Sequence, residues 1–129
     1  MNRHTLLCVD DDPGIRQLYN LLLGSNGYEI LLAADAHQAL KFLRSRTNGI
    51  DAIITDFEMP GMNGFELAEA IRADARCAHV PIIALSSITS PATIERGRQA
   101  GFYDFVAKFD RQGLIAALKE TTVEFVEAA

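Results

Sequence analysis

Five short runs govern what this chain can fold into: Thr5–Val9, Glu29–Ala33, Asp51–Thr55, Val80–Leu85 and Asp104–Lys108, starting 24, 22, 29 and 24 residues apart. They are nearly continuous apolar stretches instead of alternating ones. Strands buried on both faces read that way, as in a parallel sheet covered by helices. Helical patterns fill the intervals. Ile15, Leu18 and Leu22 recur on one face between Pro13 and Gly24. Asp35-Ala36-His37-Gln38 reads as a capping box, followed by Ala36, Ala39, Leu40 and Leu43 on one stripe. Asn63 to Glu66 repeats the signal ahead of Leu67, Ala70 and Ile71. Ser90-Pro91 opens a fourth helix that Gly101 closes, and a fifth starts near Asp110 with Leu114, Ala117, Leu118, Thr121 and Phe125 inward.

The expected result is one α/β domain over residues 1–129, a (βα)5 unit with no linker. Right-handed crossovers and five strands favour the flavodoxin-like order 2-1-3-4-5, too few strands to close an eight-stranded barrel.

Composition excludes several classes. A net charge of -5, with the 12 cations scattered from Arg3 to Lys119, gives no basic stripe for nucleic acid. Apolar runs such as Ile30 to Ala34 are far too short to span a membrane, and the start of the chain does not read as a signal peptide. Cys8 lies in an apolar run and reads as core, while Cys77 lies in a polar connection and reads as a free thiol. Both are expected reduced, which with the missing leader suits the cytoplasm.

In an open α/β sheet the ligand site lies at the carboxyl ends of the strands, where strand order reverses. Strands one and three would be neighbours there. The first ends in Asp10-Asp11-Asp12 and the third in Asp56. Two unit charges ~4 Å apart repel by about 4 kcal/mol at an effective dielectric near 20, so a carboxyl stays protonated or a cation intervenes. With no His or Cys among the acids, a hard ion such as Mg²⁺ fits the donors better than zinc. Strand four ends in Ser86 and strand five in Lys108. Taken singly, Asp12 reads as a helix cap, Ser86 as a turn former, Lys108 as a solvated charge and Phe105 as a core aromatic. Together, carboxylates, a hydroxyl, an ammonium and a divalent ion match the needs of a transferring phosphoryl group.

Four stretches carry a resemblance: Leu7 to Asp12, Ile53 to Gly64, Pro81 to Ser87 and Phe105 to Lys108. The chain resembles the receiver domains of two-component response regulators over essentially its whole length, with the D-x-x-M-P-G-M-x-G run from Asp56 its most specific motif. The resemblance implies that Asp56 is the nucleophile that takes a phosphoryl group from a phosphohistidine on a sensor histidine kinase or phosphotransfer protein. It implies that Asp11 ligates Mg²⁺ directly, Asp10 largely through water and Glu58 through its backbone carbonyl. Ser86 would donate to the phosphoryl group, Lys108 would pair with it, and Phe105 would be the switch aromatic. The signal would pass through the fourth helix, fifth strand and fifth helix, including Ile94 and Leu114, to a downstream effector protein. Self-phosphorylation and slow dephosphorylation would be its only chemistry.

Three details depart from the family pattern. Phe105 lacks a hydroxyl, Phe109 stands where most receivers have proline, so a trans bond and a shifted loop are expected, and Glu58 adds a third acid. The stretch Phe105 to Asp110 is similar to receivers attached to chemotaxis proteins. An aspartyl phosphatase of haloacid dehalogenase type is a rival, weakened because adjacent acids replace its D-x-D pair. Flavin binding is a third reading, opposed by an acidic first loop where a phosphate needs donors. His4, His37 and His79 read as surface or loop residues, and Met59 and Met62 as loop packing. The cognate kinase, the output target, dimerisation on phosphorylation and membership of a longer parent chain stay open.

Overall fold

The computed structural model describes residues 4–45, 49–57, 64–87, 90–108 and 110–128, with side chains up to residue 121. The elements alternate as β1 (Thr5–Val9), α1 (Pro13–Gly24), β2 (Glu29–Ala33), α2 (Ala36–Ser45), β3 (Ala52–Asp56), α3 (Gly64–Ala73), β4 (Ile82–Ser86), α4 (Pro91–Ala100), β5 (Asp104–Ala107) and α5 (Arg111–Ala128). All neighbouring strands are parallel, in the order β2-β1-β3-β4-β5. The fold class read from the sequence is the one observed.

Both faces of the sheet are covered, which is why its strands lack alternation. Leu7, Val9, Ile53, Ile82 and Ala84 pack on one side against Ala39, Leu40 and Leu43 of α2 and Leu67, Ala68 and Ile71 of α3. Leu6, Cys8, Ile54, Ile83 and Leu85 face the other side, against Tyr19 and Leu23 of α1 and Leu114, Ala117 and Leu118 of α5. Burying each large side chain contributes about 1.5–3 kcal/mol, so the three central strands hold the domain together.

The helix starts follow their caps. Asp12 Oδ1 accepts from the backbone N–H of Gly14 and Ile15, fulfilling its cap reading. Ser90 Oγ accepts from Thr93 N, Asp110 Oδ1 accepts from Gly113 N, and Gly101 closes α4 in the left-handed region at φ 101°. At α2, Asp35 Oδ1 accepts from Gln38 N, but Gln38 Oε1 reaches past the cap and accepts from Ala34 N.

Several expectations need correction. β3 spans Ala52–Asp56 instead of Asp51–Thr55, and β4 spans Ile82–Ser86 instead of Val80–Leu85. Both shift toward their carboxyl ends because pairing extends there, Asp56 opposite Leu85 and Ser86 opposite Ala107. β5 stops at Ala107, one residue short of Lys108. On α1 the fully buried residues are Tyr19 and Leu23, while Ile15, Leu18 and Leu22 are half-buried. The sheet meets α1 about one position round from the expected stripe. Cys77 is a free thiol, as the sequence reads, and it is buried, because the turn after α3 folds back until its thiol donates to the carbonyl of Ile71 at 3.6 Å. Leu114, expected on a signalling face, is 1 % exposed and faces the sheet. The histidines agree with their reading: His37 and His79 are exposed, and His4, ahead of β1 and outside any strand or helix, is half-buried with Nδ1 3.5 Å from the Asp51 carboxylate. The readings on Asn63, Glu58, Met59, Met62, Phe109 and the side chain of Phe125 lie outside the described residues.

Candidate functional site

The carboxyl ends of β1, β3, β4 and β5 form one rim, and parallel register sets its members level. Asp10 directly follows β1, and its N–H donates to Ala33 O of β2 at 3.1 Å. Asp56 is the last residue of β3, and Ser86 the last of β4. Lys108 N donates to Ser86 O at 3.1 Å, prolonging the β4–β5 ladder just far enough to bring the lysine to the rim.

Asp10, Asp11 and Asp56 each offer a carboxylate oxygen, and these lie within 4.8 Å of one another. Lys108 Nζ sits 3.0 Å from Asp56 Oδ1. Asp56 is 2 % exposed and Asp10 3 %, whereas Asp11 is exposed. The side chain of Lys108 keeps 25 % of its surface, so a charge-assisted pair lies at the mouth of a cleft and not deep in the core. Ser86 is wholly buried beside them.

Asp10 carries the clearest imbalance. Its Oδ1 accepts from Asp12 N at 2.9 Å, but its buried Oδ2 has no hydrogen-bond partner. Burial, above all, raises its pKa from 3.8; the nearby Asp56 and Asp11 charges add to this, while the Asp12 N–H and Lys108 oppose it. A buried carboxylate oxygen without a partner, beside two more carboxylates, fits a divalent cation bound by oxygen. The donor set contains no sulfur or imidazole, as Mg²⁺ prefers. Cys8, two residues before Asp10 on β1, is pushed up to about 12 by burial and then by Asp10, so its thiol stays protonated.

The geometry thus joins Asp10, Asp11, Asp56, Ser86 and Lys108, five of the seven residues singled out in the sequence. Phe105 meets the site through an aromatic contact, its ring 5.6 Å from that of Phe57, the residue after Asp56. Glu58 lies outside the described residues. The rival phosphatase reading loses its second acid, because Asp12 is occupied in capping α1.

Sequence reasoning missed Arg16. Its Nη1 donates to the carbonyl of Asp10 at 2.7 Å and pins the β1–α1 turn from inside the helix. A cation one turn beyond three acids, where a helix start disfavours positive charge, was the available signal. It also missed Phe57, whose ring meets Phe65, Phe102 and Phe105. Nothing in a single phenylalanine marks it as a hub.

Comparison with known proteins agrees with this geometry. The family model described as "Response regulator receiver domain" matches residues 6–119. The chain is 36% identical over 111 residues to the two-component response regulator ORR1 of Oryza sativa, covering 80% of this chain and 48% of that protein. It is 31% identical over 118 residues to the DNA-binding response regulator MtrA of Mycolicibacterium smegmatis, covering 91% and 50%. It therefore spans about half the length of these curated relatives. Among solved structures, the chemotaxis protein CheY4 of Vibrio cholerae superposes with a TM-score of 0.86 at 33% identity, covering 93% of this chain and 99% of that one. With the acid-lined strand ends, the lysine beside Asp56 and a family match over most of its length, the chain belongs to the response regulator receiver family, the phosphorylation-controlled switches of two-component signalling.

Proposed function

We propose that this chain is a single receiver domain over residues 1–129 that accepts one phosphoryl group on Asp56. The observation that carries the proposal is the Lys108–Asp56 pair at 3.0 Å, beside two further carboxylates brought from β1. An Asp56 carboxylate oxygen attacks the phosphorus of a phosphohistidine. The P–N bond breaks as the P–O bond forms, and the departing imidazole nitrogen keeps the electron pair and takes up a proton from solvent. Lys108 stays charged and holds the aspartate, then the transferred oxygens, in place. Ser86 donates its hydroxyl to a phosphoryl oxygen.

Asp10, Asp11 and Asp56, with the Glu58 carbonyl, would hold Mg²⁺. When bound, it offsets the negative charge gathered between the acids and the phosphoryl group. Hydrolysis of the acyl phosphate by water then resets the switch, with no outside substrate.

The partners are a sensor histidine kinase or phosphotransfer protein upstream and an effector protein downstream, engaged through α4, β5 and α5 in the cytoplasm. Phe105 is the switch aromatic. Likeness to CheY4 favours a chemotaxis-type role. No described helix is long and apolar enough to cross a membrane.

Incubating the protein with Mg²⁺ and acetyl phosphate should add one alkali-labile phosphoryl group by mass spectrometry, absent from Asp56→Asn. An unchanged wild-type mass would refute the proposal.

A further inference from the structure

Helix α4 is mostly polar, and Gly97 is its sole buried residue. A helix of this kind cannot dock by burying large side chains, so its seat depends on what meets that glycine. A methyl group built there would overlap the Cε2 and Cζ atoms of Phe105 and lie 3.2 Å from Phe102 Cδ2. Gly97 is thus a notch filled by the edge of an aromatic ring. No positive φ requires glycine at this position, so only close approach explains it.

The same ring belongs to a four-phenylalanine cluster. Phe105 lies 5.2 Å from Phe102 and 5.6 Å from Phe57, and Phe57 lies 4.5 Å from Phe65 edge-on. Arg96 of α4 caps the far side, its guanidinium 4.1 Å from the centre of the Phe65 ring. Phe57 follows Asp56 directly, and its N–H donates to Leu85 O at the end of β4. A continuous packed path therefore runs from the backbone beside Asp56, through Phe57 and Phe105, to the backbone of α4. Packed contacts of this density transmit displacement because voids are few.

We propose that Gly97 is a positioning residue: its missing side chain seats the Phe105 ring, so that the position of α4 and the conformation at Phe57 beside Asp56 are coupled through that ring. The functional half of this inference rests on Asp56 being the phosphoryl site. The packing half does not.

The sign of a glycine-to-alanine effect separates this from ordinary helix chemistry. Gly24, at the end of α1, has nothing near its missing side chain, and Gly24→Ala should shift the unfolding equilibrium about two- to fivefold toward the folded state. Gly97→Ala should move it roughly tenfold or more the other way, because the ring must leave its seat. Adding Phe105→Leu should reverse most of that loss, and should restore folding if Gly97→Ala alone cannot fold.

A purely local role would stop there, so the decisive measurement is the amide signal of Phe57 in ¹H–¹⁵N spectra. It should shift in Gly97→Ala or, if that variant does not fold, in Phe105→Leu together with the Gly97 amide. In the Gly97→Ala, Phe105→Leu double variant it should match Phe105→Leu alone. The rate of phosphorylation by acetyl phosphate with Mg²⁺ should change severalfold in Gly97→Ala and match that of Phe105→Leu in the double variant. Stabilisation of Gly97→Ala like that of Gly24→Ala, or a Phe57 amide that stays in place, would overturn the inference. A wild type that takes no phosphoryl group would instead remove the reading of Asp56, leaving the Phe57 amide to decide the coupling.

Discussion

Two charged side chains are drawn into opposite ends of this sheet, and they are treated in opposite ways. At the amino ends of β4 and β5, Arg72 of α3 donates from Nη1 to the carbonyls of Ala78 and Val80, both at 2.7 Å, and from Nη2 to the carbonyl of Gly101 at 2.6 Å. Burial lowers its pKa, yet each strand-start carbonyl it touches gains a charged donor. At the carboxyl ends, Asp10 keeps one oxygen unpartnered and is crowded by like charge. A half-buried charge that donates to three backbone carbonyls ties the loops before two strands to a helix. A buried one whose bonds are incomplete is a standing demand for a cation, and that demand marks the functional end of the molecule.

Removing the satisfied charge should cost most. Arg72→Ala should lower stability by about 2–4 kcal/mol in urea denaturation, since three carbonyls lose a charged partner. Arg72→Lys should recover only part of this, because an ammonium lacks the planar fork. A loss no larger than that of a surface substitution would erase the contrast between the two ends.

Relieving the unsatisfied charge should act in the other direction. Asp10→Asn should stabilise the metal-free protein at neutral pH by about 1 kcal/mol, as like-charge crowding is removed and a buried acceptor gains donor neighbours. The same variant should lose the rise in melting temperature that Mg²⁺ gives the wild type. Destabilisation in the metal-free state would show that Asp10 holds the fold together, as Arg72 does.

The pH dependence sharpens the point. The folded pKa of Asp10 lies above its ordinary 3.8, so its protonated form is favoured by folding. Its stabilising contribution is complete below 3.8 and is lost as pH rises through the folded value. Metal-free wild type should therefore gain stability relative to Asp10→Asn as pH falls from neutral toward 4. A constant difference across that range would contradict the shift.

The smallest effect belongs to a charge that is well paired but at the surface. Hydrogen bonds from Arg76, first from its side chain and then from its backbone, hold Asp74 down at about 2. Its contribution is present above 3.8 and lost as pH falls through about 2. Arg76→Ala should return the Asp74 titration toward 3.8 by NMR while leaving the denaturation midpoint nearly unmoved.

Much of the architecture was legible because parallel strands buried on both faces leave continuous apolar runs. β1 and β2 fall where those runs fall. The ends of β3 and β4 were less legible, because a strand stops where its neighbour stops pairing, and Asp56 and Ser86 are polar residues inside a ladder. The acids were readable as a site because strand order alone brings Asp10 and Asp56 together. Arg16 was not, since its role depends on a side chain turning back onto the carbonyl of Asp10. The burial of Cys77 was hidden for a similar reason: its polar neighbours describe the chain locally, while its burial comes from a turn folding onto Ile71.

By itself, then, the amino-acid sequence determined the alternation of strand and helix, the strand order and the meeting of acids, hydroxyl and lysine at one rim. These follow from periodicity, capping and topology, which act over a few residues or through the connectivity of the chain. Only the tertiary structure decided that Asp10 keeps an unpartnered oxygen, that Arg72 satisfies three carbonyls and that Gly97 is a seat for Phe105. Each depends on surfaces meeting across elements far apart in the chain, and close packing, unlike periodicity, leaves no mark in the local order of residues.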